Sequence, residues 1–226
     1  DVDATPLGLG TIVITVENDV PDVILVPDAV ESGYVHEDAL DSSGDHWSDG
    51  IPEGTVSETA TPNLGNQVER SSTSGADEPA PVTYSIVGLD SSVQSALTSG
   101  CGDTVYYHQV GDSIVATTDA DYNAANPNIF VFTITDTSTG AATFELNDQL
   151  DHGLGISGTD SDTLAINDLG LYVQASVTDA DGDVDATPLG LGTIVITVEN
   201  DVPVMVVVYA AVDRGCVLVD SIDVKR

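Results

Sequence analysis

The stretch DVDATPLGLGTIVITVENDVP at residues 1–21 recurs without substitution at 183–203. Identity of that length does not arise by chance, so the chain carries repeated modules offset by 182 residues, from 1 to 183. Such a period is too long for a solenoid unit and suits a whole domain repeated along an array. Within the stretch, residues 11–17 read TIVITVE, which puts Ile12, Ile14 and Val16 on one face of an extended segment. The run stops at Asn18-Asp19, and Pro21 lacks the N–H that a continuing ladder would need.

Short β-branched runs of the same kind follow at residues 23–26, 82–87, 104–109, 113–117, 129–135, 141–147, 171–178 and 193–199. Turn residues separate them, among them Gly111-Asp112, Thr139-Gly140 and Asp181-Gly182. No segment has a sustained helical period, although 91–97 would accommodate one or two helical turns. The expected fold is all-β, an antiparallel sandwich of many short strands. Residues 42–81 break the pattern, being rich in Ser, Thr, Gly, Pro and Glu, and read as a long loop or insertion. The repeat places one complete module at 22–203. It makes 1–21 the last strand of a preceding repeat and 204–226 the opening of a following one.

There are 38 acidic residues against four basic ones, a formal net charge of −34. That charge repels nucleic acid and anionic membranes, so neither is an expected partner. No run is long enough to insert in a membrane. Apolar content is 41%, normal for a folded domain, so the acidity calls for cations rather than disorder. The carboxylates are clustered. Asp179, Asp181, Asp183 and Asp185 alternate along one segment around Gly182, a pattern that can converge several hard oxygens on calcium. The plainer alternative is an Asp-Gly turn with solvated neighbours. The junction Glu199-Asn200-Asp201 and its copy Glu17-Asn18-Asp19 form a second candidate, with Glu37-Asp38 of the following module as further ligands. A third is Asp119, Asp121 and Asn123, spaced in the same way. Asn147-Asp148, Asp151-His152, Asp160 and Asp162 are weaker candidates.

Three motifs, FELNDQLDH at 144–152, VTDADGD at 177–183 and TVENDVP at 197–203, together resemble the repeats of giant type-I-secreted bacterial adhesins of the RTX kind. The Asn-Asp-x-Pro ending is similar to cadherin-like linkers. The resemblance implies Ig-like or cadherin-like sandwiches, Ca2+ at the linkers, a place on the bacterial cell surface, and an extender role in adhesion and biofilm. Its partners would be neighbouring modules of the same or identical chains. The divergent tail, the two cysteines Cys101 and Cys216, and the lack of glycine-rich nonapeptides depart from the pattern.

Enzymatic readings fare poorly. Gly111-Asp112-Ser113-Ile114 resembles the nucleophile block of a lipase family, but Gln149 stands where the Asp three before His152 is needed. The four histidines have no zinc spacing. No catalytic residue is expected, and the chain is read as a non-enzyme. Two alternatives to a spacer remain: a glycan- or surface-binding module using Trp47 in the long loop, and a filament subunit joined by strand donation.

Overall fold

The computed structural model describes residues 20–40, 57–69, 72, 81–125, 127–152 and 163–200. The flanking segments 1–19 and 201–226, and most of the long loop with Trp47, lie outside the described residues, as do Asp160, Asp162 and Cys216.

The described residues form twelve strands. They are β1 (Glu31–His36), β2 (Thr59–Ala60), β3 (Thr83–Ile86), β4 (Val93–Thr98), β5 (Thr104–Val110) and β6 (Ser113–Thr117). The chain continues with β7 (Phe130–Asp136), β8 (Ala141–Leu146), β9 (Thr163–Ile166), β10 (Val173–Thr178), β11 (Val184–Pro188) and β12 (Ile194–Glu199). One antiparallel sheet has the order β2-β8-β7-β6-β5-β4. Two three-stranded sheets, β11-β10-β3 and β1-β12-β9, complete the all-β sandwich. All three contribute to one core, in which Tyr107, Phe130, Phe132 and Phe144 of the large sheet join Ala175 of β10 and Ile196 of β12.

Alternation explains why these segments became strands. In β12, Ile194, Ile196 and Val198 are fully buried while their neighbours are half-exposed. One pairing departs from the antiparallel expectation, because β1 runs parallel to β12, with Glu31 opposite Ile194 and His36 opposite Glu199. Parallel pairing needs a crossover, and here the whole module intervenes between the two strands.

Two other expectations need correction. Residues 91–97 run into and form most of β4, not a helical turn. The apolar period is hidden by a register shift between Gln94 and Thr98, where Ser95 Oγ donates to Val105 O and accepts from Leu97 N. Residues 23–26 make an isolated bridge, Leu25 to Val68, rather than a strand.

The β7–β8 turn shows how acid groups serve the fold. Asp136 Oδ1 accepts from Ser138 N at 2.9 Å, Ser138 Oγ at 2.7 Å and Thr139 N at 3.3 Å. Gly140 then takes φ +75°, and a Cβ there would lie 2.6 Å from Gly65 N, so only glycine fits. The Ser138 and Thr139 bonds hold the Asp136 carboxyl at about 2, below its ordinary 3.8. Because folding lowers this pKa, the turn's contribution is full above the ordinary value and fades as pH falls towards about 2. The stability gap between the parent and Asp136→Ala is therefore expected to shrink across that window. Denaturant unfolding at several pH values measures it, and a pH-independent gap would contradict the assignment.

Candidate metal centre

The β10–β11 hairpin carries the alternating aspartates. Thr178 pairs with Val184, so residues 179–183 form its tip. Gly182 adopts φ +99°, which lets the chain reverse. Asp179 organises the turn: its Oδ1 accepts from Gly182 N at 2.9 Å and from Asp183 N at 2.7 Å. The Asp-Gly turn foreseen as the plainer reading is therefore present. It accounts for only half of the carboxylate. Asp179 is 6% exposed, and its Oδ2 is buried with no hydrogen-bond partner. Asp181 and Asp183, both exposed, bring carboxylate oxygens to a point where all three residues' ligand atoms lie within 4.8 Å of one another.

Carboxylates this close repel unless hydrogen bonds or a cation offset the charge. Burial pushes the Asp179 carboxyl up, but bonding with Asp181 and the backbone N–H groups of Asp183, Gly182 and Asp181 outweighs it and holds the pKa below the ordinary value. Asp179 therefore stays ionised, as a calcium ligand must. An ionised, buried oxygen without a donor, beside two exposed carboxylates, fits a hard divalent cation. Asp179, Asp181 and Asp183 would hold it.

The other sequence candidates sit elsewhere. Asp185 is not in this cluster; its Oδ2 accepts from Val23 N at 2.7 Å and ties the hairpin to the segment that leads into the module. Asp119 offers its backbone oxygen to Thr117 Oγ1 and the His108 ring, and Asn123 Oδ1 accepts from Ala125 N at 3.0 Å. Asp119, Asp121 and Asn123 therefore lie on the structured loop between β6 and β7, away from the hairpin cluster. Glu199 ends β12 with its carboxylate engaged inside the module. Tyr34 Oη donates to its Oε2 at 2.5 Å, and His36 Nδ1 lies 2.7 Å away, outside hydrogen-bond geometry. Burial first, then the Glu199 bond and charge, push the Tyr34 phenol up to about 12. Asn200 follows, half-exposed. Asp201, Glu17, Asn18 and Asp19 lie outside the described residues.

One acidic group was foreseen in the wrong role. Glu37 was a candidate junction ligand, but it is 2% exposed, and its Oε1 accepts from Leu150 N at 2.7 Å with His152 Nε2 at 3.3 Å. His152, named with Asp151 among the weaker metal candidates, is thus engaged by Glu37 inside the module. No local motif announces a pair 115 residues apart. Glu37→Ala is expected to cost about 1–3 kcal/mol in chemical denaturation, because it strands a buried N–H. Glu37→Gln, which keeps an acceptor, should cost less; equal losses would argue against the bond.

Among the described residues no helix is long and apolar enough to cross a membrane. Cys101 is an exposed free thiol. No curated protein and no solved structure matches the chain. A family model does match residues 35–192, more than half the sequence, including the whole six-stranded sheet and the acidic hairpin between β10 and β11. The chain therefore belongs to the family described as Domain of unknown function (DUF5801).

Proposed function

We propose that this protein is an extender module of a repetitive extracellular bacterial adhesin, stiffened by calcium at its acidic hairpin. The observation that carries the reading is the divided role of Asp179. One oxygen builds the turn, while the other is buried without a donor beside Asp181 and Asp183. Asp185, two residues beyond that cluster, holds Val23 N, and Val23 lies two residues after Pro21, the end of the repeated Asn-Asp-Val-Pro segment. An ion bound at the hairpin would thus rigidify the part of the module nearest its junction. The 182-residue repeat supports an array, and the large excess of acid suits a calcium-rich exterior. The resemblance to type-I-secreted adhesin repeats supports the surface location. The test is thermal unfolding with calcium and after chelation. A calcium-dependent rise in Tm is expected, and an unchanged Tm would refute the metal role.

A further inference from the structure

A second site lies on the outer side of the large sheet. The loop before β4 and the loop between β6 and β7 flank β5 and line an open depression of about 390 Å3. That is near the lower end of the range for small-ligand sites, roughly 300–1,000 Å3. Its lining includes His108, which is 5% exposed, and Tyr122, which is 40% exposed. The rings are tilted at 44°, with centroids 5.5 Å apart.

The histidine's tautomer can be assigned from its partners. Its Nε2 lies 2.9 Å from the backbone oxygen of Asp119 and 3.2 Å from Thr117 Oγ1. A carbonyl oxygen can only accept, so Nε2 carries the proton, and in the neutral ring Nδ1 is an acceptor. Asp90 and Asp121 add carboxylates, and Ser91 and Ser92 add hydroxyls. Gln109 also lines the depression, but its amide donates to Ile86 O and Gly111 O. The walls are therefore rich in acceptors and include one accessible aromatic ring.

That chemistry selects a ligand with several hydroxyl donors and an apolar face. An anion would be repelled by both carboxylates and by the net charge of −34. A metal is disfavoured, because the only three-ligand group among the described residues is the one at Asp179. A neutral sugar ring meets both requirements, with its C–H face on Tyr122 and its hydroxyls on Asp90 and Asp121. We propose that this depression binds a neutral saccharide, which would make the module a glycan contact as well as a spacer. The site is separate from the acidic hairpin and does not depend on calcium there.

Amide-shift mapping of the 226-residue chain with neutral mono- and disaccharides, with calcium and after chelation, tests the proposal. Shifts are expected at residues 90–92, 108–109 and 120–122 in both conditions. Tyr122→Ala should weaken binding roughly tenfold, equivalent to about 1.4 kcal/mol, while Tyr122→Phe keeps it. Asp121→Asn, a second variant at the rim, should also weaken binding. Both alanine and asparagine variants should keep the parent's dispersed spectrum. Three results would each overturn the proposal: no sugar shifting these residues, binding indifferent to both Tyr122→Ala and Asp121→Asn, or shifts produced by a diamine such as putrescine and by no sugar.

Discussion

Tyr107→Ala is expected to destabilise the protein by about 3–5 kcal/mol, the range for deleting a large buried aromatic side chain. Tyr107 is fully buried in β5. Its ring meets Phe130 edge-on at 5.7 Å and Tyr172 at 5.8 Å, and Phe130 in turn packs on Phe144 at 4.9 Å. Tyr172 belongs to the turn that leads into β10, so this chain of rings joins the large sheet to the opposite layer. Removing its central member leaves a cavity between layers that the backbone of two sheets cannot close.

The hydroxyl adds a separable part. Tyr107 Oη donates to Asp168 Oδ1 at 3.1 Å. Burial pushes the Asp168 carboxyl up from its ordinary value, and the Tyr107 bond pulls it partly back. A raised folded pKa means that Asp168 favours folding most when protonated, and this contribution is lost as pH rises through the folded pKa. Tyr107→Phe keeps the rings but leaves the carboxylate without its donor, at a cost of about 1–3 kcal/mol at neutral pH. The deficit should shrink on acidification below the ordinary carboxylate pKa, where Asp168 is neutral in both proteins. Urea unfolding at neutral and acidic pH measures both variants. A Tyr107→Ala protein within about 1 kcal/mol of the parent would contradict this account of the core.

The same contrast between buried and exposed faces decides what could be read from the sequence. Residues 104–109, 113–117, 129–135 and 193–199 correspond to β5, β6, β7 and β12 within about a residue, because each buries alternate apolar side chains against one core. β11 gave no such signal. Its residues Val184 to Pro188 are exposed or half-exposed throughout, and backbone pairing with β10 holds them in place. β1, read ESGYVH, buries only Val35 fully, and its parallel partner β12 lies more than 150 residues away. Non-local pairing of that kind leaves no periodic trace in a single sequence.

The acidic hairpin was legible as a cluster because alternation is a local property. The division of labour within it was not, since which oxygen caps the turn depends on how Gly182 bends the backbone. The depression between Asp90, His108 and Tyr122 was missed because its residues come from three separated segments. Trp47, the aromatic weighed for glycan binding, lies outside the described residues.

Calcium at 100 times its dissociation constant is expected to stabilise the module by about 2.7 kcal/mol. For a chain of this size that corresponds to a Tm rise of roughly 5–10 °C. The variants should separate ligand from scaffold. Asp181→Asn combined with Asp183→Asn removes two exposed carboxylates, so the calcium-free protein should melt near the parent while the calcium-induced rise is lost. Asp179→Ala removes the acceptor for Gly182 N and Asp183 N as well, so it should lower Tm even without calcium. The rival explanation is screening, because a chain with a net charge of −34 gains from any added cation. Screening acts on the whole surface and would raise the double variant about as much as the parent, with sodium at matched ionic strength doing the same. A site acts through a few oxygens at fixed positions. It should favour calcium over magnesium, whose near-ideal octahedral demand a flexible hairpin tip meets poorly. A calcium response that survives in the double variant would assign the effect to the surface as a whole and remove the hairpin from the mechanism.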